Sequence, residues 1–274
     1  MQLNSKTVVL TGAASGIGRA LAIKLFEQQC SLALVDRDAA GLEALVAELP
    51  SHAAVKVTTH TVDLADRDAS LALIDQIASQ HKTIHMLINN AGVALGGTFE
   101  QTSVDNFDWL MRINFGAVVD LTRGFLALMQ AHGEPAKIVN ISSLFGLVSP
   151  PEQSAYCASK FAVRGFSNAL GYELRGTPVS MLVVHPGGIA TAIARNARIP
   201  EGVSESEVAQ RQKQASRLLK KPPMEAAEEI VKAILSDRTR LLIGSDAKLI
   251  ALIERIWPER YWRIVEKLIN RKSA

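Results

Sequence analysis

A tyrosine and a lysine one helical turn apart are the residues of this chain whose types and spacing most directly suggest chemistry. Tyr156 and Lys160 stand four positions apart at the start of a helical segment, so both side chains lie on one face. A free phenol has a pKa of about 10, which is too high for a base at neutral pH. A nearby ammonium group would stabilise the phenolate and lower that pKa. The pair could therefore transfer a proton, although the same spacing is also common on ordinary amphipathic helices.

A glycine-rich turn follows the first predicted strand and precedes a helix. Gly12, Gly16 and Gly18 have the spacing Gly-x-x-x-Gly-x-Gly, which differs from the common Gly-x-Gly-x-x-Gly dinucleotide fingerprint. Glycines at such a turn let a pyrophosphate approach the backbone, and the N–H groups of the helix face the anion. Many sharp turns need glycine without binding anything, but the position after the first strand favours nucleotide binding.

Two carboxylates at predicted strand ends could select the nucleotide. Asp36 ends the second strand, where a carboxylate can accept hydrogen bonds from both adenosine ribose hydroxyls and so favours NAD. The adjacent Arg37 could instead pair with the 2′-phosphate of NADP, or it could be a solvated loop side chain. Asp63 follows the third strand and could accept from the adenine amino group, or cap a helix beginning near Ala65. We predict NAD as the cofactor, with NADP as the alternative.

Short β-rich runs alternate with longer helical patterns along most of the chain. In the helical pattern at residues 65–80, Leu71, Ile74 and Ile77 or Ala78 are predicted to share one face. Strands that alternate with helices imply βαβ units with right-handed crossovers. The fold class is therefore α/β: a Rossmann-like, doubly wound, seven-stranded parallel sheet flanked by helices on both faces. The predicted strands span residues 7–10, 31–35, 55–59, 85–89, 137–141, 179–185 and 240–243.

Six motifs in the expected order carry a resemblance to a known family. The sequences TGAASGIG, NNAG, ISS and YCASK, together with Asn114 and the Pro186-Gly187 segment, resemble the short-chain dehydrogenase/reductase family with its TGxxxGIG and YxxxK motifs. The resemblance extends from about Lys6 to Ser245. It implies an NAD(P)-dependent oxidoreductase that interconverts a secondary alcohol and a ketone, and a homodimer or homotetramer.

The resemblance also implies a role for each matching residue. Tyr156 would be the general acid/base, Lys160 would bind the nicotinamide ribose and lower the Tyr156 pKa, and Ser143 would polarise the substrate oxygen. Asn114 would kink its helix and hold a water that relays protons to Lys160. The motifs and the resemblance together predict these cofactor-binding residues: Gly12, Ser15, Gly16, Ile17, Gly18, Asp36, Arg37, Asp63, Leu64, Asn90, Ala91, Gly92, Tyr156, Lys160, Pro186, Gly187, Ile189 and Thr191.

The implied reaction is a hydride transfer to or from C4 of nicotinamide. In the oxidising direction, Tyr156 as phenolate would take the hydroxyl proton, and Ser143 would help to stabilise the charge on the substrate oxygen. The alternative function is an NAD(P)-binding sensor or scaffold without turnover. Loss of Tyr156 or Lys160 would have favoured that alternative, but both residues are present. No metal is predicted, since the six histidines show no paired-ligand spacing.

The predicted substrate side is apolar. Hydrophobic residues follow Ser143, and residues 192–223 form a polar insert that could be a lid or a surface helix pair. We expect an apolar secondary alcohol or ketone, such as an aliphatic, alicyclic or steroid-like molecule. The substrate-contacting residues would be Ser143, Leu144, Phe145, Pro150, Tyr156 and Gly187.

Composition and charge exclude several other classes. The chain has 274 residues, 48% of them hydrophobic, and we predict one catalytic domain over residues 1–247. A formal net charge of +3 argues against a nucleic-acid-binding protein. Two cysteines cannot form a disulfide framework, and neither a secretory signal nor a spanning segment is visible, so we expect a cytoplasmic protein.

The positive charge is concentrated in a C-terminal extension, residues 248–274. Its seven basic and three acidic residues give +4, so residues 1–247 carry −1. Within the extension, Tyr261, Ile264, Val265 and Leu268 are predicted to share one helical face, with basic residues opposite. Such a helix could lie on an anionic membrane surface, or dock on the catalytic domain or on a neighbouring subunit. We expect docking rather than membrane contact.

Overall fold

Seven parallel strands form the centre of the computed structural model, which describes residues 2–50, 52, 54–199, 202–204, 207–209 and 218–271. The strand order is β3-β2-β1-β4-β5-β6-β7, and every neighbouring pair is parallel. This topology confirms the predicted Rossmann-like fold. The strands are β1 Thr7–Thr11, β2 Ser31–Asp36, β3 Val57–Thr61, β4 Met86–Asn89, β5 Ala136–Ile141, β6 Val179–Pro186 and β7 Arg240–Ile243.

Helices connect the strands and cover both faces of the sheet. Asp38, Asp66 and Ser103 cap three of them through side-chain oxygens that accept backbone N–H groups. A π-helical turn, Arg112–Gly116, joins α4 to α5, and a 3₁₀ turn spans Leu144–Gly146. The helices are α1 Gly16–Glu27, α2 Ala39–Glu48, α3 Arg67–Gln80, α4 Val104–Met111, α5 Ala117–Ala131, α6 Ser154–Glu173, α7 Pro223–Leu235, α8 Ser245–Ile256 and α9 Tyr261–Arg271.

Two hydrophobic clusters lie on opposite faces of the sheet. Along β1, Val8 and Leu10 face one cluster, which includes α1 and α7, and Val9 faces the other, which includes α3 and α5. Alternation of side chains across a strand produces this division. Because both faces are covered, the inner strands β1, β2 and β4 carry mostly apolar residues, whereas the edge strand β3 is polar after Val57.

Two details of the secondary structure differ from the sequence prediction. Strand β3 begins at Val57, two residues later than predicted, because Val55 lies in the preceding loop and packs against the core from there. Helix α3 buries Ser70, Leu73 and Ile77, whereas Leu71 is 41% exposed. The prediction was therefore correct for Ile77 and Ile74, which pack against the core, and wrong for Leu71, which faces solvent while Ser70 and Leu73 are buried.

The predicted lid at residues 192–223 lies only partly within the described residues. Its residues 200, 201, 205, 206 and 210–217 are outside them. Arg198 holds the described part in place: its N–H donates to the carbonyl of Ala94, and its guanidinium lies 3.5 Å from the centre of the Trp109 ring. Across the described residues, no helix has the length and apolar character needed to cross a membrane.

Two histidines share a threonine hydroxyl near the edge strand β3. Oγ1 of Thr58 lies 3.0 Å from Nε2 of His60 and 2.9 Å from Nε2 of His81. Burial lowers the pKa of both imidazoles, and the pKa of His81 falls to about 4. The His81 ring is therefore neutral in the folded protein near pH 6.

We expect the free energy of unfolding to decrease as the pH falls from 6.5 to about 4. In that range His81 binds a proton in the unfolded chain but not in the folded one, and the difference amounts to at most about 3 kcal/mol. Urea denaturation of His81→Asn at pH 7 and pH 4.5 should show a weaker dependence on pH than the wild type. His52→Asn, at an exposed histidine, is the control and should leave the dependence unchanged. Equal pH dependence in all three proteins would contradict this assignment.

Candidate active site

A large open cleft runs along the carboxyl edge of the sheet. Its volume is about 1730 Å³, and residues that follow all seven strands line it. In a doubly wound fold, ligands bind at this edge because the turns there lie outside the packed layers. The turns after β1 and β4, which diverge from the centre of the sheet, lie side by side in the cleft.

The glycine-rich turn after β1 has no space for larger side chains. Gly12 and Gly16 have positive φ angles of +66° and +54°, which side chains rarely adopt. A Cβ on Gly18 would lie 1.8 Å from the carbonyl oxygen of Gly12. The backbone at the start of α1 is therefore exposed to the cleft at close range, with Ser15 and Ile17 beside it. This is a suitable cradle for a phosphate group.

Hydrogen bonds join this turn to the turn after β4. Oγ1 of Thr11 accepts the backbone N–H groups of Asn90 and Ala91, both at 3.0 Å. Nδ2 of Asn90 donates to the carbonyl oxygens of Thr11 and Gly12, also at 3.0 Å. Asn90, expected beside the cofactor ribose, lines the cleft with its two amide hydrogens already bound to the glycine-rich turn. Sequence analysis gave no separate role to Thr11, whose place at the end of β1 was the available signal.

Asp36 is held at the cleft by the backbone of the adjacent turns. Its Oδ2 accepts the N–H of Ala14 at 2.9 Å, and its Oδ1 accepts the N–H of Asp38 at 3.1 Å. A carboxylate has about four lone-pair sites, so each oxygen can accept a further hydrogen bond. Arg37 follows on the exposed side and also lines the cleft.

Asp63 lies at the cleft and accepts a hydrogen bond in the turn before α3, but it is not the helix N-cap that was one of its two predicted roles. Its Oδ1 accepts the N–H of Ala65 at 2.9 Å, so it stabilises the turn before α3. The N-cap of the helix itself is Asp66, and α3 begins at Arg67 rather than near Ala65. Asp63 and Leu64 nevertheless both line the cleft.

Asn114 lies in the π-helical turn and connects three elements. Its Oδ1 accepts the N–H of Val93 at 2.8 Å, and its Nδ2 donates to the carbonyl of Val93 at 3.0 Å and to the Ser159 hydroxyl at 3.1 Å. The side chain is buried, and a Cβ on Gly92 would lie 3.3 Å from both Oδ1 of Asn114 and Nζ of Lys160. Glycine at position 92 therefore keeps the space between these two polar groups open.

Tyr156 and Lys160 lie together on α6, as their spacing requires. Nζ of Lys160 is 5.7 Å from the centre of the Tyr156 ring and donates to the carbonyl of Ile141 at 3.2 Å. The hydroxyl of Ser142 donates to the carbonyl of Lys160 at 2.9 Å, which ties α6 to the end of β5. The hydroxyl oxygen of Ser143 accepts the N–H of Phe145. The Ser143 side chain also hydrogen-bonds with Tyr156.

Burial, rather than the ammonium group, controls proton binding by this pair. Burial raises the pKa of Tyr156 to about 12, and the hydrogen bond with Ser143 acts in the opposite direction without offsetting it. Burial also lowers the pKa of Lys160 to about 8. The expected lowering of the Tyr156 pKa was wrong for the protein by itself, because sequence reasoning considered the neighbouring charge and omitted desolvation. At neutral pH the phenol is protonated and can donate to a substrate oxygen.

His185 and Asp246 also shape the site, and sequence analysis assigned no role to either. Nδ1 of the fully buried His185 lies 3.0 Å from the carbonyl oxygen of Ser143, and burial lowers the pKa of this imidazole to about 4. The neutral ring therefore donates from Nδ1 and helps to fix the Ser143 backbone. The position of His185 at the end of β6, before Pro186, was the only sequence signal for it.

Asp246 in the first turn of α8 holds the segment that follows β6. Its Oδ2 accepts the N–H of Gly188 at 2.8 Å, and a Cβ on Gly187 would lie 2.5 Å from both of its carboxylate oxygens. The segment it holds lines the cleft with Pro186, Gly187, Gly188, Ile189 and Thr191. The contact spans 58 residues of sequence, so no local pattern indicates it.

The apolar part of the cleft has walls from three parts of the chain. Leu144, Phe145 and Pro150 line it on the β5 side, and the Phe145 ring meets the Tyr156 ring edge to face at 6.1 Å. A second wall comes from α8 and α9, whose Ile250 and Val265 reach the cleft. The third consists of described residues of the 192–223 insert, among them Ile193, Ala194 and Leu218. The hydroxyl oxygen of Tyr261 accepts the N–H of Ser149 at 2.8 Å and fastens α9 across this wall. The C-terminal extension therefore docks on its own catalytic domain and contributes to the site.

Comparisons with known proteins agree with this arrangement. A family model described as short chain dehydrogenase matches residues 6–202. A protein of Mycobacterium tuberculosis named putative oxidoreductase SadH is 40% identical over 262 residues, which cover 95% of this chain and 94% of that protein. A solved short chain dehydrogenase/reductase from Burkholderia phymatum in complex with NAD has a TM-score of 0.87 and 29% identity, over 94% of this chain and 96% of that one. A short-chain dehydrogenase from Sphingobium yanoikuyae in complex with NADPH has a TM-score of 0.75 and 27% identity, over 90% and 92%.

We expect Lys160→Met to raise the thermal stability of the protein. The substitution removes a desolvated ammonium group and keeps an unbranched side chain in the same space, so a gain of about 1 kcal/mol is expected. The matched control is Lys137→Met, because Lys137 is equally buried but lies 2.6 Å from the carboxylate of Asp237. Lys137→Met should lower the midpoint temperature of thermal unfolding in a calorimetric scan. A fall in both variants would show that Lys160 is held by interactions stronger than its desolvation.

Proposed function

This chain belongs to the short-chain dehydrogenase family of oxidoreductases, and on that basis we propose that it oxidises a secondary alcohol, or reduces its ketone, with NAD. The observation that carries the proposal is that Tyr156, Lys160 and Ser143 share one cleft with the glycine-rich turn and Asp36. A proton-transfer group, a polarising hydroxyl and a phosphate cradle are what a hydride transfer between an alcohol and a nicotinamide requires of the protein. Together they support turnover rather than binding alone.

The cleft fits a dinucleotide from end to end. The pyrophosphate would lie against the start of α1, where Gly12 and Gly18 leave no room for a side chain. The adenosine would lie between Asp36 and Asp63, and the nicotinamide end near Asn90 and Thr191. When bound, the cofactor supplies the atom that accepts or gives up the hydride. The relatives in complex with NAD and with NADPH are consistent with this fit.

Asp36 favours NAD over NADP. Its carboxylate is fixed by the N–H groups of Ala14 and Asp38, so it cannot easily turn away from a ligand. A ribose with two free hydroxyls can donate to it, whereas a 2′-phosphate would place a second negative charge beside it. Arg37 is exposed and lies next to Asp36, where it could weaken this repulsion without removing it.

The proton chemistry centres on the Tyr156 hydroxyl. In the reducing direction the protonated phenol would donate to the developing alkoxide, and burial favours that protonated form. In the oxidising direction the phenol must first lose its proton, so the rate of alcohol oxidation should rise with pH. Ser143 would donate a second hydrogen bond to the same substrate oxygen. Lys160 would hold the nicotinamide ribose, and Asn114 would hold a water that relays protons to Lys160.

The substrate would be an apolar secondary alcohol or ketone. Leu144, Phe145 and Pro150, the C-terminal helices and apolar residues of the 192–223 insert all line the cleft, so the pocket would bury mainly hydrocarbon. An aliphatic, alicyclic or steroid-like molecule has that character. We also propose a homodimer or homotetramer, for which the exposed Phe161 and Tyr172 on α6 offer apolar contact surface.

Tyr156→Phe should abolish most turnover and leave cofactor binding intact. We expect the rate of NAD reduction with apolar secondary alcohols to fall by about 10²- to 10⁴-fold, because the phenol oxygen that moves the proton is removed. Tyr172→Phe, at an exposed tyrosine on the same helix, is the control and should keep full activity. The measurement is absorbance of the reduced cofactor over a panel of alcohols and ketones, with cofactor affinity from fluorescence.

Two outcomes would oppose this proposal. Tight cofactor binding without turnover across the whole panel would indicate a sensor or scaffold instead of an enzyme. Oxidation of small polar polyols alone would exclude an apolar substrate but keep the reaction type.

Asp36→Ala should reduce the preference for NAD. The wild type should bind NAD more tightly than NADP, and the variant should narrow the difference by about tenfold or more, since the charge that repels the 2′-phosphate is gone. Paired titrations with both cofactors on wild type, Asp36→Ala and Arg37→Ala measure this. Tighter binding of NADP by the wild type would mean that Arg37 determines the cofactor.

A further inference from the structure

The two C-terminal helices leave an apolar surface uncovered beside the cleft, and we propose that this surface docks on an anionic membrane. We define the C-terminal face as Leu249, Leu252 and Ile256 of α8, Trp257 after it, and Leu268 of α9. These five side chains are 38–53% exposed. Single exposed hydrophobic residues are ordinary, but five on one pair of neighbouring helices indicate a contact surface.

The α8 residues of the C-terminal face lie on the side of that helix that does not pack on the domain. Ala247 and Ile253 are buried, and Ile250 packs on the apolar cluster at the cleft, so one side of α8 makes the core contact. Leu252 and Ile256 are separated by four residues and therefore lie on one stripe. At 100° per residue, that stripe points away from the buried side.

The residues beside this stripe are basic. Lys248 and Arg255 are exposed and project from the outward side of α8 next to Leu252. The two acidic residues of α8 are placed elsewhere: Asp246 binds the N–H of Gly188, and Glu254 is half-buried on the inner side. The outward side of α8 therefore combines hydrophobic and positive groups, which is the pattern of helices that lie on anionic lipid.

Charge also distinguishes a membrane from a second copy of this chain. Arg263 and Lys267 on α9 are exposed, and although Glu259 and Glu266 are exposed too, residues 248–268 carry five basic and three acidic side chains. Two such faces brought together would place like charges opposite one another, whereas an anionic bilayer supplies the opposite charge. Trp257, which is half exposed, is a residue type enriched at the membrane interface.

This surface differs from the one that the sequence suggested. The sequence points to α9, but Val265 of that helix is buried and Tyr261 is bound to Ser149, so most of the apolar side of α9 faces the domain, and Leu268 at its edge is partly exposed. The docked α9 packs beside α8, and the outward side of α8 remains exposed and free to contact a membrane. The membrane contact and the docking of the extension are therefore compatible.

The C-terminal face continues into the mouth of the cleft. Leu249 and Leu268 are half exposed and also line the cleft. A protein lying on its C-terminal face would turn that opening toward the bilayer, where apolar alcohols and ketones accumulate. This delivery of substrate rests on the proposed function, whereas the docking itself does not.

The docking can be tested by co-sedimentation of the full chain with lipid vesicles. We expect binding to phosphatidylcholine vesicles that contain phosphatidylglycerol, weak binding to phosphatidylcholine alone, and loss of binding at high salt. The double substitution Leu252→Asp and Ile256→Asp should weaken binding by about tenfold or more, because it removes apolar burial and adds negative charge. Lys248→Glu with Arg255→Glu should act in the same direction. Leu71→Asp, at an exposed leucine of α3, is the matched control and should bind like the wild type.

Three results would overturn the docking proposal. The wild type could fail to bind anionic vesicles, or it could bind them equally well after the substitutions on α8. Sedimentation in solution could also show that the same substitutions dissociate an oligomer, which would assign the C-terminal face to a second copy of the chain.

Activity measurements separate this proposal from the proposed function. The Leu252→Asp/Ile256→Asp variant should bind NAD and oxidise a water-soluble secondary alcohol like the wild type, because neither residue lines the cleft. Its rate with a long-chain secondary alcohol in anionic vesicles should fall several-fold. Vesicle binding without oxidation of any alcohol would retain the docking and reject the function. Oxidation of the soluble alcohol without vesicle binding would retain the proposed function and reject the docking.

Discussion

The hydrogen-bonded contact between the turns after β1 and β4 is the interaction on which the rest of the site depends. Four hydrogen bonds join these two strand ends: the Thr11 hydroxyl accepts the N–H groups of Asn90 and Ala91, and the Asn90 side-chain amide donates to the carbonyls of Thr11 and Gly12. The contact fixes the glycine-rich turn that can hold a phosphate. It also fixes Gly92, which stands between Asn114 and Lys160. This hydrogen-bonded contact therefore sets the distance between the glycine-rich turn and the reactive end of the cleft, which contains Tyr156 and Lys160.

The reactive end is built from groups that burial makes unfavourable as ions. Burial raises the pKa of Tyr156 and lowers those of Lys160 and His185, so all three are biased toward their neutral forms. Such an arrangement opposes folding unless each polar atom is given a partner. Lys160 has the Ile141 carbonyl, and Nδ1 of His185 has the Ser143 carbonyl. Among the described residues, Nε2 of His185 has no hydrogen-bond partner.

The C-terminal extension connects the substrate side of the cleft with the protein surface. Tyr261 and Asp246 fasten it to the loops after β5 and β6, which are separate strand ends. The inner side of α8 and α9 completes an apolar wall, while the outer side of α8 presents leucine, isoleucine and basic residues. The two proposals therefore make substrate selection and membrane contact depend on the same pair of helices.

Sequence patterns and the family resemblance that they carry predicted the fold and most of the residues that line the cleft, although Gly18 and Asn114, both predicted for the site, are not among the lining residues. Strand and helix periods are local properties, and the glycine-rich turn and the Tyr156–Lys160 spacing are local as well, so both could be recognised without coordinates. Tertiary structure decided what depends on burial and on distant contacts. It decided which side of α3 faces the core, in which direction the Tyr156 pKa moves, and that His185, Asp246 and Tyr261 support the site. The physical reason is that desolvation and contacts between residues far apart in the chain arise only after the chain is packed.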